Sequence, residues 1–205
     1  PGPAAAPVVV DGPTGSYVRP ADLDEAIHLL QRHPDAVVVA GSTDWGVEVN
    51  LRGARAELVV GVDHLAELRA VTRGADHLEI GAAVTLAELE RGIAREVPLL
   101  TAVLPLFASP LIRNSATIGG NLATGSPIGD LAPALLALET DVVLHGTDGQ
   151  RLVPLASFFT GYRRSVRRRD ELIRAVRIPL PLGEVTGFQK IAQRRHDDIT
   201  SVAVA

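Results

Sequence analysis

The sequence of 205 residues contains no cysteine, and only 3% of its residues are aromatic. Without cysteine the chain can form no disulfide, no thiolate metal site and no cysteine-ligated iron–sulfur cluster. The shortage of aromatic rings argues against a stacking platform for single-stranded nucleic acid. No run approaches the roughly 18 consecutive apolar residues that cross a bilayer. The formal net charge of −4 supplies no strong field that would recruit nucleic acid or a membrane surface.

Hydrophobic residues make up 46% of the chain, so we expect a folded core rather than disorder. The Pro- and Ala-rich residues 1–7 lack the basic start and the apolar stretch of a signal peptide, and we expect a cytoplasmic protein. We assign residues 1–16 to a linker remnant that follows another domain. The chain ends inside an alternating run at residues 199–205, so we expect the second domain to be truncated at its C-terminus.

A small βαβ unit is predicted at residues 17–65. Short β-branched runs begin at Val8, Ala36 and Leu58, and such runs are typical of buried strands. Between the first two, the apolar residues from Leu23 to Leu30 recur at offsets of three, four and seven, which predicts one apolar face of a helix.

A second unit, predicted at residues 66–205, has a mainly antiparallel pattern with helices. Alternation over residues 78–84 indicates a half-buried strand, and Thr85 with Glu88 has the spacing of a capping box. Residues 108–130 are rich in glycine, serine and asparagine, which predicts a long loop.

The remaining elements of this unit follow the long loop. Asp130 is expected to cap a helix. Further strands are predicted in a hairpin over residues 141–153 and at residues 171–178, 187–192 and 199–204. The predicted fold class is α+β in two subdomains.

Two segments could carry binding chemistry. Residues 40–46 follow the most apolar strand and offer glycine, hydroxyls and free amides, which suit close approach to an anion. Neither a Walker A nor a GxGxxG spacing is present, so a plain helix cap is the ordinary alternative. The small and hydrogen-bonding side chains of residues 115–130 suit a backbone wrapped around a large phosphate-bearing ligand. A surface loop is the alternative, although connections of this length are usually functional or disordered.

Five ordered segments resemble the flavin-binding segments of the xanthine dehydrogenase family, and the resemblance as a whole runs from about Tyr17 to the end of the chain. They read VVAGSTD at 38–44, ATIGGN at 116–121, TGSPIGDL at 124–131, FFTGYR at 158–163, and FQK at 188–190 with RRHDDI at 194–199. The resemblance implies the FAD-binding domain of a molybdenum hydroxylase, in a small or medium flavoprotein subunit. The implied fold is the two-subdomain, vanillyl-alcohol-oxidase-like one, with FAD in the crevice between the subdomains.

The resemblance also implies which residues contact FAD. The turn after the second strand would hold the pyrophosphate and the ribityl chain, Phe107 would pack against the isoalloxazine, and residues 193–198 would lie near the nicotinamide-facing side. The full implied set is Val37, Val38, Val39, Ala40, Gly41, Ser42, Thr43, Asp44, Trp45, Phe107, Ala116, Thr117, Gly120, Asn121, Thr124, Asp130, Ile173 and Lys190. This sequence departs from the family pattern at Ser42, where relatives often have asparagine, and at Asp44, where glutamate is frequent.

Several of these residues have a simpler explanation. Lys190 is the one lysine among 20 basic residues, which suggests that a compact ammonium is needed there, but chance on a strand edge remains open. Trp45 and Phe107 could be core residues. The arginine-rich residues 163–169 could face a partner or an adenine nucleotide, although a solvated loop is the more ordinary interpretation. The six histidines show no metal-ligand spacing, so we expect no metal site.

The residues themselves offer no catalytic group. No GxSxG elbow is present, and Asp197 and Asp198 would point to opposite faces of an extended chain, which does not suit glycoside chemistry. The resemblance implies that FAD carries electrons from iron–sulfur clusters, fed by a molybdenum cofactor in other domains or subunits, to NAD or another acceptor. Two alternatives stay open: a different flavoprotein oxidoreductase of related fold, and a non-catalytic nucleotide-binding module.

Overall fold

The computed structural model describes residues 8–194 and 197–205. Its helices and strands form two layered units whose facing surfaces enclose a cavity. None of the helices in these two ranges is both long enough and apolar enough to cross a membrane.

The N-terminal unit is built on a four-stranded sheet in which two parallel strands flank a third. Its strands are β1 (Val8–Gly12), β2 (Gly15–Arg19), β3 (Val37–Val39) and β4 (Leu58–Gly61), and its helices are α1 (Leu23–Arg32), α2 (Thr43–Arg52) and α3 (Ala66–Arg69). The order in the sheet is β1-β2-β4-β3. Both β2 and β3 run parallel to β4, whereas β1 is antiparallel to β2.

The strand that opens the βαβ unit is β2, and not the apolar run that begins at Val8. That prediction was wrong, because the run forms the outer strand of a hairpin, where Val9 is 65% exposed. Residues 8–16, assigned to a linker from the sequence, lie in this hairpin, where the Ser16 hydroxyl donates to Asp11 across the turn at 2.6 Å. Residues 1–7 lie outside the described residues.

Helix α1 packs the apolar face that its periodicity predicts against this sheet. Leu23, Ala26, Ile27 and Leu30 are all at most 5% exposed. The helix begins at Asp22, whose side chain accepts from the Glu25 amide at 2.8 Å and satisfies one of the free amides of the first turn. These residues form the smaller of two hydrophobic cores.

The second unit is built on a five-stranded antiparallel sheet in the order β5-β6-β11-β7-β8. The strands of this unit are β5 (Val71–Arg73), β6 (His77–Gly81), β7 (Asp141–Gly146), β8 (Gly149–Pro154), β9 (Phe159–Gly161), β10 (Arg164–Ser165), β11 (Leu172–Pro179), β12 (Gln189–Ile191) and β13 (Val202–Val204). Outside the five-stranded sheet, β9 pairs with β10 and β12 pairs with β13. The helices are α4 (Leu86–Arg91), α5 (Pro98–Val103), α6 (Pro110–Arg113), α7 (Ile118–Thr124) and α8 (Leu131–Ala137). The predicted α+β class is confirmed.

Two local predictions about this unit were right, and two were wrong. The capping box is present, with Thr85 and Glu88 exchanging hydrogen bonds of 2.9 to 3.2 Å at the start of α4, and residues 141–153 do form a hairpin. However, residues 108–130 are not a loop, since they contain α6 and α7. Asp130 stands at the start of α8 but makes no capping bond, because its own backbone is already helical (φ −73°, ψ −26°).

The larger core lies between the five-stranded sheet and helices α4, α5, α7 and α8. The smaller core belongs mainly to the N-terminal unit, but it also takes in Leu68, Ala83 and Leu172 from beyond residue 65. The division of the chain at residue 65 stays a prediction.

Candidate functional site

A cavity of about 790 Å³ lies between the two units. Its volume falls within the roughly 300–1,000 Å³ of ordinary ligand sites. Both cores contribute to its walls, with Leu30 and Val62 from the smaller core and Ala116 and Ile173 from the larger one. The cavity is therefore formed only when the two units are packed together.

Most of the residues singled out from the sequence line this one cavity. They are Val38, Val39, Ala40, Gly41, Ser42, Thr43, Asp44, Trp45, Phe107, Ala116, Thr117, Gly120, Asn121, Thr124, Asp130 and Ile173.

The structure does not place Val37 and Lys190 in the cavity wall. Val37 is the first residue of β3 and so lies farther along the strand from the turn at residues 40–45 than Val38 and Val39 do. The Lys190 ammonium lies 2.7 Å from Asp130 Oδ2 and 3.0 Å from the Leu106 carbonyl oxygen, and Asp130 does line the cavity. That Val37 and Lys190 contact the ligand stays a prediction.

One wall is the tight turn that joins β3 to α2. Gly41 is required there by a chain-to-chain contact, since a Cβ atom at this position would lie 1.7 Å from the Ser115 carbonyl oxygen. The next residue, Ser42, adopts the left-handed conformation with φ of +56°. This turn aims the start of α2 at the cavity.

The start of α2 suits an anion. Its first intrahelical bond runs from the Gly46 amide to the Ser42 oxygen at 2.8 Å, so the amides of the residues before Gly46 are not used within the helix. Ser42 makes no capping bond with its side chain. Free amides at the positive end of a helix dipole form a ready phosphate site. This agrees with the anion-binding role that the sequence suggested for residues 40–46.

The opposite wall is formed by α7, which is anchored on the larger unit. Thr117 caps the helix by accepting from the Gly120 amide at 3.0 Å. The Gly119 amide donates to the Ala82 oxygen at 2.9 Å, which fixes the helix against the end of β6. Gly120 itself is open toward the cavity, where an added Cβ would meet only the Thr117 hydroxyl at 2.9 Å.

The side chain of Asn121 has a buried polar atom without a hydrogen-bond partner in the part of the chain that the structure describes. Its Oδ1 atom is inaccessible and has no hydrogen-bond partner among the described residues. A buried polar atom left unpaired costs free energy, so such atoms are normally satisfied by protein or by a bound molecule. Because Asn121 lines the cavity, a hydrogen-bonding ligand there would satisfy it.

Three residues of the cavity wall are held in a backbone conformation that side chains disfavour. Ser42, Ala108 and Asp197 have φ of +56°, +41° and +49°. Such strain persists where the surroundings enforce it, and it clusters at binding sites. The two other non-glycine residues with positive φ in the described ranges, Glu139 and Arg163, lie outside the cavity wall.

Sequence reasoning did not single out Arg167 from the arginine-rich run. Arg167 and Arg169 both line the cavity. Arg167 is half-buried, whereas the other four arginines of the run are exposed. Burial lowers the pKa of its guanidinium, which donates to the Glu171 and Arg168 carbonyl oxygens at 2.6 and 3.2 Å. The available signal was its position six residues before the predicted Ile173, shortly ahead of β11.

Residues 193–198, predicted to lie near the ligand, are only partly described. Arg194, Asp197 and Asp198 line the cavity, whereas residues 195 and 196 lie outside the described ranges. Across residues 8–194 and 197–205, no group of three or more histidine, cysteine, aspartate or glutamate side chains could hold a metal ion.

The chain matches the family model described as the FAD binding domain in molybdopterin dehydrogenase, over residues 12–181. It is 36% identical to the xanthine dehydrogenase FAD-binding subunit of Escherichia coli O157:H7, covering 93% of this chain and 67% of that one. It is 34% identical to the xanthine dehydrogenase/oxidase of Gallus gallus, covering 91% of this chain but only 15% of that relative's length.

Solved structures give the same result. The reconstituted CO dehydrogenase from Oligotropha carboxidovorans is 28% identical with a TM-score of 0.87, over 95% of this chain and 68% of that one. The quinoline 2-oxidoreductase from Pseudomonas putida 86 is 27% identical with a TM-score of 0.85, over 93% of this chain and 67% of that one. This chain therefore belongs to the family of FAD-binding domains of molybdopterin dehydrogenases.

Proposed function

We propose that this chain binds FAD in the cavity between its two units and serves as an electron-transfer domain of a molybdenum hydroxylase. The observation that carries the proposal is the convergence of sixteen predicted cofactor positions, from segments far apart in sequence, on one cavity. The unpartnered Asn121 oxygen and the free amides at the start of α2 add polar groups that suit a large phosphate-bearing ligand.

The residues of the cavity fit this cofactor by their chemistry. The turn at residues 40–45 would hold the pyrophosphate through backbone amides, and Phe107 would pack against the flavin ring. Thr117, Gly120 and Asn121 would supply close backbone approach and polar contacts. Bound FAD supplies the redox chemistry, because it can accept and release electrons, while the protein provides binding, orientation and electrostatics. No side chain of this chain needs to act as an acid or a base.

The proposed partners are an iron–sulfur domain and a molybdenum-cofactor subunit that deliver electrons. Their clusters must lie outside this chain, since it contains no cysteine. Relatives named xanthine dehydrogenase, nicotinate hydroxylase and CO dehydrogenase support this assignment. The proposed acceptor is NAD or another oxidant, and the proposed location is the cytoplasm, where nicotinamide nucleotides are available.

A spectroscopic titration tests the cofactor assignment. The purified chain, incubated with FAD and freed of excess by gel filtration, is expected to keep the visible absorption bands of oxidised flavin. A non-catalytic nucleotide-binding module would elute colourless, which would refute the proposal.

Paired assays on the FAD-loaded chain test the division of labour. We expect no hydroxylation of xanthine or of an aldehyde, because the electron path from a molybdenum centre is absent. We expect slow NADH oxidation with an artificial dye acceptor if NAD is the natural partner of the flavin. Substrate hydroxylation by this chain with FAD alone would point instead to a different flavoprotein with its own catalytic site.

A further inference from the structure

The short segment that carries Phe107 is gripped by two buried cations. Arg113 Nη1 donates to the Phe107 carbonyl oxygen at 2.9 Å and to the Ala108 carbonyl oxygen at 3.2 Å. Lys190 Nζ donates to the Leu106 carbonyl oxygen at 3.0 Å. Three consecutive carbonyl groups are thus bound by the pair Arg113 and Lys190, which we call the carbonyl clamp.

Each cation of the carbonyl clamp is fixed by a carboxylate on a different helix. Arg113 Nε lies 3.0 Å from Glu90 on α4, and Lys190 Nζ lies 2.7 Å from Asp130 at the start of α8. The side chain of Arg113 is only 10% exposed and that of Lys190 only 8%. The two cations are therefore held by helices that pack in the larger core, and they in turn hold the backbone of residues 106–108 in place.

The backbone of the gripped segment would not adopt this shape unaided. Ala108 has φ of +41°, a region that disfavours a residue with a Cβ atom and is kept only when the surroundings impose it. In an extended chain, neighbouring carbonyl groups point to opposite sides. Here two consecutive ones converge on a single nitrogen, which the turn at Ala108 makes possible.

We propose that Arg113 is a positioning residue for the cofactor: it holds the Phe107–Ala108 turn so that the Phe107 ring stands as a fixed wall against the flavin. This rests on the proposed function, since it requires FAD in the cavity. Arg113 is suited to the task because a planar guanidinium presents five donors in a rigid fork and can bind two carbonyls and a carboxylate together. A lysine offers one nitrogen and cannot reproduce that arrangement.

The test is the substitution Arg113→Lys, compared with Arg91→Ala as a control on the neighbouring exposed surface of α4. The readouts are FAD affinity by fluorescence titration, visible circular dichroism of the bound flavin, and thermal unfolding of the FAD-free chain. We expect Arg113→Lys to fold, to bind FAD about tenfold more weakly and to alter the flavin dichroism. Arg91→Ala should match the parent chain in all three.

A double-mutant cycle separates positioning from general stability. If Arg113 acts through the aromatic wall, Arg113→Lys should weaken FAD binding far less in a chain that already carries Phe107→Leu, because the wall is then absent. Losses that simply add would overturn the proposal. So would unchanged affinity and dichroism in a folded Arg113→Lys variant.

Failure of the proposed function has a different signature, since the parent chain itself would then bind no FAD. If Arg113→Lys does not fold, Glu90→Gln provides the second measurement, because it weakens the hold on Arg113 Nε while keeping the shape of the side chain. It should give the same dichroic change with a smaller loss of affinity. A folded Glu90→Gln chain with parental dichroism would contradict the proposal.

Discussion

The Thr124 hydroxyl donates a hydrogen bond of 2.8 Å to Asp44 Oδ2, which links residues 80 positions apart in the chain. Thr124 ends α7 of the larger unit, and Asp44 stands in the first turn of α2 of the smaller one. Both line the cavity. The bond therefore fixes the spacing between the wall that suits a phosphate and the wall that carries Asn121.

Thr124→Val should loosen this link while keeping the volume of the side chain. We expect a loss of about 1 kcal/mol in the free energy of unfolding, the ordinary contribution of one hydrogen bond, together with weaker FAD binding. Urea unfolding and FAD titration measure the two effects. Thr186→Val, at an exposed position, is the control, and an equal response from both variants would contradict the role given to Thr124.

Substitutions at Gly120 and at Gly41 should have different effects, the first on FAD affinity and the second on the stability of the fold. Gly120→Val is expected to leave the fold intact and reduce FAD affinity by at least about tenfold, because its side chain would enter the space open to the ligand. Gly41→Ala should instead destabilise the FAD-free chain, since its Cβ would lie 1.7 Å from the Ser115 carbonyl oxygen. Circular dichroism of the FAD-free variants, followed by titration, distinguishes the outcomes. Normal FAD affinity in Gly120→Val would argue against α7 as a ligand wall.

Lys190→Met should lower the free energy of unfolding. The substitution leaves the Asp130 carboxylate, whose side chain is 8% exposed, without its cation, and breaking a buried ion pair in this way costs about 3–5 kcal/mol. Arg164→Ala, at an exposed position, is the control and should be nearly neutral. The double variant Lys190→Met with Asp130→Leu should recover part of the loss in urea unfolding, and no recovery would show that the pair is not the cause.

The Glu171 carboxylate should make stability depend on pH in the acid range. Burial raises the pKa of Glu171, but hydrogen bonds from Arg151 and from the Arg168 amide outweigh it and hold the pKa below its ordinary value. A depressed pKa in the folded state contributes stability above the ordinary value, about 4.3 for glutamate, and that contribution is lost as pH falls further. Glu171→Gln should therefore be less stable at neutral pH, and the difference from the parent should shrink below about pH 4. Denaturant unfolding across this range measures it, with Glu184→Gln at an exposed site as the control.

Local patterns were enough to predict the elements whose stability is local. The face of α1, the Thr85 and Glu88 capping box and the hairpin at residues 141–153 depend on neighbours within a few positions. The strand at Val8 was wrongly predicted to be buried because a run of β-branched residues has the same composition at a sheet edge as in a core. The helix at 118–124 was missed because its stability comes from contacts with Ala82 and Val84, which lie far away in sequence.

The sequence could predict which segments form the site but not the hydrogen bonds and ion pairs between their side chains. The resemblance named Lys190 and Asp130 separately, whereas the structure joins them in an ion pair of which Asp130 lines the cavity. Arg113 carried no signal of its own, because its role depends on a turn at Ala108 whose left-handed φ cannot be read from an alanine. Arg167 stood among exposed arginines, and only its burial distinguishes it.

Because residues of both hydrophobic cores line the cavity, a ligand bound there also stabilises the packing of the two units against each other. Binding to the folded state alone adds about 1.4 kcal/mol of stability for each tenfold excess of ligand over its dissociation constant. Cofactor supply would then govern how long the chain survives proteolysis, since a chain short of cofactor opens more often. A shortage of the flavin would reduce the amount of the protein as well as its activity.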